Sequence, residues 1–193
     1  MGAEPPLAEV DEAGRTQHQQ GEDEQALGGA GLVYAEATAV EADGRRTHGD
    51  LGLWEDGQIG GLKQITAFLN REGAVPGIQL GHAGRKASER RPWHGETPVD
   101  DEDTAERGEA PWTAIAPSPI PYADGWPVPL EMTETDIERV IDSFGAAARR
   151  AKDAGFQIVE IYAAHGFLVH QFLSPIANRR TDRWGGSPPN RHR

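Results

Sequence analysis

Cysteine is absent from the 193-residue chain. That removes disulfides, thiol catalysis and zinc–thiolate sites together. Lysine is nearly absent: Lys63, Lys86 and Lys152 are the only three. Against 19 basic residues stand 31 acidic ones, a net charge of −12. Such a surface repels nucleic acid and anionic lipid. An excess of acid with so little lysine fits a halophilic protein, whose self-repulsion is screened by salt. It fits an ordinary acidic cytoplasmic protein equally well. No apolar run approaches the ~18 residues of a membrane span. The N-terminus, "MGAEPPLAEVDEAGRTQHQQGEDEQ", lacks the basic and apolar regions of a signal peptide, which points to the cytoplasm.

What is present has an order. Residues 1–27 are acidic and poor in large apolar residues, and are read as a mostly disordered or loosely helical segment. Leu32, Val33 and Tyr34 predict a short strand after a glycine turn. Ile59, Leu62, Ile65, Ala67, Phe68 and Leu69 recur with a near-helical period that Gly73 stops. "AVPGIQL" is the next strand, ending near Gln79 and Leu80. Some fifty residues rich in proline, glycine and charge follow, and a loop that long is usually functional. A helix then starts at the cap Thr133, buries Ile137, Val140, Ile141, Phe144, Ala147 and Ala148, and ends at Gly155. "FQIVEIY" is the third strand. Strand–helix–strand–loop–helix–strand predicts a parallel sheet, whose chemistry sits at the C-terminal strand ends.

Three such ends carry polar or small residues: "EATAV", "IQLGHAGRK" and "IYAAHGFLVHQF". Gln79 ends its strand with a carboxamide, which offers both a donor and an acceptor. His165, taken alone, fits a loop cap or a catalyst equally. His170 is expected to be buried and structural. His82, His165 and His170 match no metal-ligand spacing, and no metal is expected.

"GGAGLVYAEATAV", "DLGLW", "GIQLGHAGRK", "APSPIP" and "AAHGFLVHQFLSPIANRRTDRWGGSPPNR" together resemble the Old Yellow Enzyme family, over residues 28–193. The likeness is to its bacterial and archaeal ene-reductase branch. The resemblance implies an FMN-dependent NAD(P)H oxidoreductase on a (β/α)8 TIM barrel. About three barrel strands are visible. The first strand and the C-terminal half of the barrel are not found in the sequence. Residues 28–193 are then the N-terminal part of the FMN-binding barrel.

Carried over by position, Gln79 binds the flavin pyrimidine edge and Ala37 lies against the ring. Tyr162 and His165 stand where the family places two donors for the carbonyl or nitro oxygen of an electron-poor alkene. Those donors stabilise the enolate or nitronate that hydride transfer creates. Two positions depart from the family: Tyr162 replaces a histidine, and Phe167 replaces the tyrosine that supplies a proton. Arg179, Arg180, Asp182 and Arg183 are expected to brace the barrel top, and Arg85 and Lys86 to anchor a loop. A rival reading is a non-catalytic remnant, or half of a split barrel that needs a complementary chain or a second copy.

Overall fold

The computed structural model describes residues 17–193. Helix α1 (Gln17–Leu27) comes first. It falls in the segment expected to be disordered or loosely helical; residues 1–16 lie outside the described residues. The helix carries little amphipathic signal. It holds because Ala26 enters the main core and α1 packs on the next strand and helix. Gly28 and Gly29 close it with amide bonds to Glu24 and Ala26, and Gly29 takes the left-handed φ of 89°.

Strand β1 (Leu32–Ala39) is longer than expected, because the ladder continues past Tyr34 through a bulge between Ala35 and Thr38. Helix α2 (Ile59–Arg71) and strand β2 (Val75–Gly81) follow. The long segment after β2 is not structureless. It contains α3 (Asp101–Arg107) and two short parallel strands, β3 (Ile115–Ala116) and β4 (Leu130–Glu131). Helix α3 is built from charge: Asp100 caps it, and the fully buried Asp103 is paired by Arg90 at 2.8 Å and by Arg107.

Helix α4 (Glu134–Asp153) starts on a capping box of Thr133 and Asp136. Strand β5 (Ile158–Ile161), helix α5 (Leu168–Leu173) and helix α6 (Pro188–Arg191) complete the described chain. The principal sheet has the order β1-β2-β5, and both pairings are parallel. Three parallel strands of a barrel are therefore present, and the sheet is not closed among the described residues.

One face of the sheet is dry. Val33, Ala35, Ile78 and Leu80 are at most 1% exposed and pack with Leu62, Ile65 and Leu69 of α2 and Ala147 and Ala151 of α4. The alternate residues Tyr34, Glu36, Gln79 and Glu160 belong to the other face, as the two-residue period of a strand requires. Ile141 departs from the expected stripe of α4. It is 54% exposed, on the rim of an apolar cleft lined by Phe144, Leu168 and Phe172. Val159 and Ile161 of β5 are the register partners of Ile78 and Leu80 and share their face, yet they are exposed, so the cover of that face stops short of β5. No helix among the described residues is long and apolar enough to cross a membrane.

Candidate active site

Parallel strands bring the predicted residues to one end of the sheet. Ala37 lies in the bulge near the end of β1, Gln79 near the end of β2, and Tyr162 directly after β5. The ladder extends to Tyr162, whose amide donates to the Leu80 carbonyl at 2.8 Å. Gln79 and Glu160 are register partners, and the Gln79 Nε2 donates to Glu160 Oε1 at 3.0 Å. That bond leaves the carboxamide oxygen of Gln79 without a partner among the described residues. Glu160 is a neighbour that the sequence reading missed; its signal was the in-register position across from Gln79.

Tyr162 and His165 are brought into contact. The Tyr162 hydroxyl lies 2.7 Å from His165 Nδ1, and the two rings stack with centroids 5.7 Å apart. Phe167 meets the Tyr162 ring edge-on at 4.8 Å. His165 takes a left-handed φ of 52° and Gly166 one of 77°. A tight turn results, and it lifts the His165 side chain into solvent. Glycine at position 81 keeps the strand surface low beside the pair, for a Cβ there would stand 3.3 Å from Tyr162 Cβ. The register Ala35↔Ile78 and Thr38↔Leu80 sets the bulge residues Glu36 and Ala37 across from Gln79.

The other histidines differ from expectation. His170 is exposed, not buried; its Nδ1 accepts from the Gly166 amide at 2.8 Å and so caps the turn. The buried polar residue of this helix is its neighbour Gln171, which bonds the Ala83 and Gly166 carbonyls. His82 is buried in a network that the sequence did not reveal. Its Nδ1 accepts from the Gly84 amide at 3.0 Å, and its Nε2 faces Glu41 Oε2 at 3.5 Å, a long contact short of a well-formed hydrogen bond. Glu41 also receives the Ser143 hydroxyl at 2.6 Å and the Arg139 guanidinium. Burial pushes the Glu41 carboxyl up, but the bonds from His82, Ser143 and Arg139 outweigh it and hold it down at about 2.

Glu41, Asp43 and His82 are the group among the described residues close enough to share a cation. The hydrogen bonding argues against that use. A ring whose Nδ1 accepts a bond keeps its proton on Nε2, the nitrogen that faces the carboxylate. Ligation there would require imidazolate.

The anchoring residues behave as expected of structural contacts. Arg180 bonds Asp182 at 2.6 Å and the Met132 and Pro117 carbonyls, tying β4 to the segment after α5. Arg183 pairs with Glu134. Arg179 contributes its backbone amide, which donates to Ser118. Arg85 reaches the Ile120 and Pro121 carbonyls. Lys86 donates to the His165 carbonyl at 2.8 Å, a contact that makes it part of the candidate site.

The sequence model of the NADH:flavin oxidoreductase / NADH oxidase family matches residues 9–193. The chain belongs to that family. The match begins well before Gly28, so it takes in α1 as well. An NADPH dehydrogenase of Geobacillus thermodenitrificans (strain NG80-2) is 44% identical over 178 residues, 92% of this chain and 46% of that protein. An NADH:flavin oxidoreductase of Gibberella zeae is 51% identical over 166 residues, 86% of this chain and 40% of that protein. Among solved structures, morphinone reductase superposes with a TM-score of 0.73 at 30% identity, covering 90% of this chain and 46% of its own. The old yellow enzyme homologue from Zymomonas mobilis gives 0.71 at 28% identity, covering 91% and 47%. The chain thus spans about half the length of the curated relatives it matches. By family it is an oxidoreductase, and FMN and NAD(P)H are the cofactors that membership implies.

Proposed function

We propose that this sheet end belongs to an Old Yellow Enzyme-type oxidoreductase that reduces an electron-poor alkene with NAD(P)H in the cytoplasm. In this reading residues 28–193 are the N-terminal part of its barrel. The observation that carries it is the Tyr162–His165 pair at the end of β5, one strand from Gln79. Bound FMN supplies hydride that NAD(P)H has given it.

The residues present fit such a ring in part. Gln79 keeps its carboxamide oxygen available, which suits a ring N–H, and its amide is oriented by Glu160. Ala37 leaves room for a flat group at β1. At the other end of the site, His165, bonded by Tyr162, offers a donor to the substrate oxygen and stabilises the negative charge that grows on it. Phe167 has no proton to give, so the proton for the neighbouring carbon comes from water.

The uncovered apolar face at Val159 and Ile161, on a strand that pairs only with β2 among the described residues, favours a second reading, half of a barrel completed by another chain. One experiment addresses both. The chain is combined with the second half of the Geobacillus thermodenitrificans relative, either fused or as a separate chain, and flavin content is read by absorbance. Flavin in the fused form supports the first reading; flavin in the two-chain form supports the second. Stopped-flow traces then follow flavin reduction and alkene reduction separately. His165→Ala should slow alkene reduction about 100- to 1,000-fold and leave flavin reduction by NAD(P)H nearly unchanged. If both combinations stay colourless, or the alkene step ignores His165, the assignment is wrong.

A further inference from the structure

His165 is gripped from two sides. Its ring meets the Tyr162 hydroxyl at 2.7 Å, and its backbone carbonyl accepts from Lys86 Nζ at 2.8 Å. The residue sits at φ 52°, where a side chain crowds its own backbone, so the turn needs outside support. Lys86 is itself fixed. Its ammonium lies 4.6 Å from the Tyr122 ring centroid and 6.0 Å from that of Phe167.

The ring contact has a direction. A phenol is a far stronger acid than the N–H of a neutral imidazole, so the hydroxyl donates and Nδ1 accepts. The proton of the neutral ring then lies on Nε2. The single proton of Tyr162 is spent in this bond, and its oxygen has only lone pairs left to offer. A substrate oxygen needs a donor. His165 Nε2–H has no partner among the described residues and is the group able to serve.

We propose that Tyr162 and Lys86 are positioning residues: they hold His165 as a single Nε2–H donor, Tyr162 through the ring and Lys86 through the backbone. One donor with two supports thereby replaces the two donors expected from the sequence. The substrate oxygen in this statement rests on the flavin-oxidoreductase reading; the two-sided grip does not.

The test uses the chain itself with 15N-labelled histidine. Long-range 1H–15N correlation spectra distinguish a protonated ring nitrogen from one that carries a lone pair. A His165→Gln spectrum assigns the resonance by difference. The buried His82, with Nδ1 bonded to the Gly84 amide, shows in the same spectrum whether the fold is intact. At mildly alkaline pH, His165 is expected in one form, protonated on Nε2. Tyr162→Phe should lower the ratio of that form to its tautomer about fivefold or more. Lys86→Met should raise amide exchange at Gly166 about threefold or more, and Lys86→Arg should restore it.

Protonation on Nδ1 in the unaltered chain overturns the proposal. So does an unchanged ratio in Tyr162→Phe, or unchanged exchange in Lys86→Met. If Tyr162→Phe disturbs the His82 signals, 3-fluorotyrosine incorporation preserves the ring's shape and makes the phenol more acidic. It must then shift the His165 Nδ1 resonance, and no shift refutes the bond. None of these readings requires flavin. A colourless protein would sink the proposed function alone, and a failed tautomer test the clamp alone.

Discussion

His82 follows the end of β2 and is 1% exposed; His165 follows the end of β5 and is exposed. Both close a strand of the same parallel sheet. His82 is enclosed, with Nδ1 bonded by the Gly84 amide and Nε2 facing Glu41 at 3.5 Å without a well-formed hydrogen bond, and Glu41 is bound in turn to Arg139 and Ser143 on α4. That histidine joins the loops after β1 and β2 to a helix. His165 has one nitrogen engaged and one left over. The same side chain is scaffold where its second nitrogen is walled in against Glu41, and a candidate reagent where that nitrogen faces solvent. Burial separates the two roles more sharply than residue type does.

The largest expected effect tests that contrast directly. His82→Ala removes a buried ring and strips the Gly84 amide of its acceptor, at a cost of about 3 kcal/mol in urea unfolding. His165→Ala should stay within about 0.5 kcal/mol of the parent, since little is packed on it. Gly44→Ala sharpens the point without touching a histidine. Its new Cβ would stand 2.6 Å from His82 Cδ2, and a ring so buried cannot step aside. Equal losses from His82→Ala and His165→Ala would break the comparison.

The next effect is in acid. Glu41 is held at about 2, below its ordinary 4.5, so its network adds stability at pH above 4.5. That stability is lost as pH falls from 4.5 through 2, and amounts to at most ~3 kcal/mol. Glu41→Gln should flatten this part of a stability–pH curve. Glu22 in α1 works in the opposite sense. Burial first, then Asp23 and Glu36, push its carboxyl up to about 7. The folded state holds that proton more tightly than the unfolded chain, so stability falls as pH rises from 4.5 to 7. Glu22→Gln should therefore stabilise the protein at pH 8, by at most ~3 kcal/mol. Chemical denaturation at a series of pH values checks both signs.

The two histidines also mark how far the sequence could be read. Periodicity gave α2, α4, a parallel sheet and the strand ends at Gln79 and Tyr162, because spacing along the chain decides those features; the position of Ala37 came from the family resemblance. The extent of α1 was not legible, because its anchoring rests on Ala26 and on contacts with distant elements. Periodicity put His170 inside and Ile141 in the core, because a helical stripe does not reveal where the neighbouring element stops. The His82–Glu41–Arg139 network joins residues 41, 82 and 139, and no local pattern links them. The Tyr162–His165 bond is local, three residues apart, yet it depends on the left-handed turn at His165 and Gly166, a backbone choice that the sequence leaves open.

The smallest expected effect probes that turn. Gly166 has φ 77°, so Gly166→Ala places a Cβ in a left-handed backbone at a cost of ~1 kcal/mol. The new methyl would meet Lys86 Cε at 3.4 Å, the end of a flexible chain that can give way. Stability should therefore change far less than in Gly44→Ala, where the neighbour is a locked ring. The consequence for His165 should still be visible. A displaced Lys86 loosens its bond to the His165 carbonyl, and amide exchange around the turn should rise while the His82 ring signals stay fixed. If Gly166→Ala unfolds the protein as readily as Gly44→Ala, the strand end at His165 is as much scaffold as the one at His82, and the division between them fails.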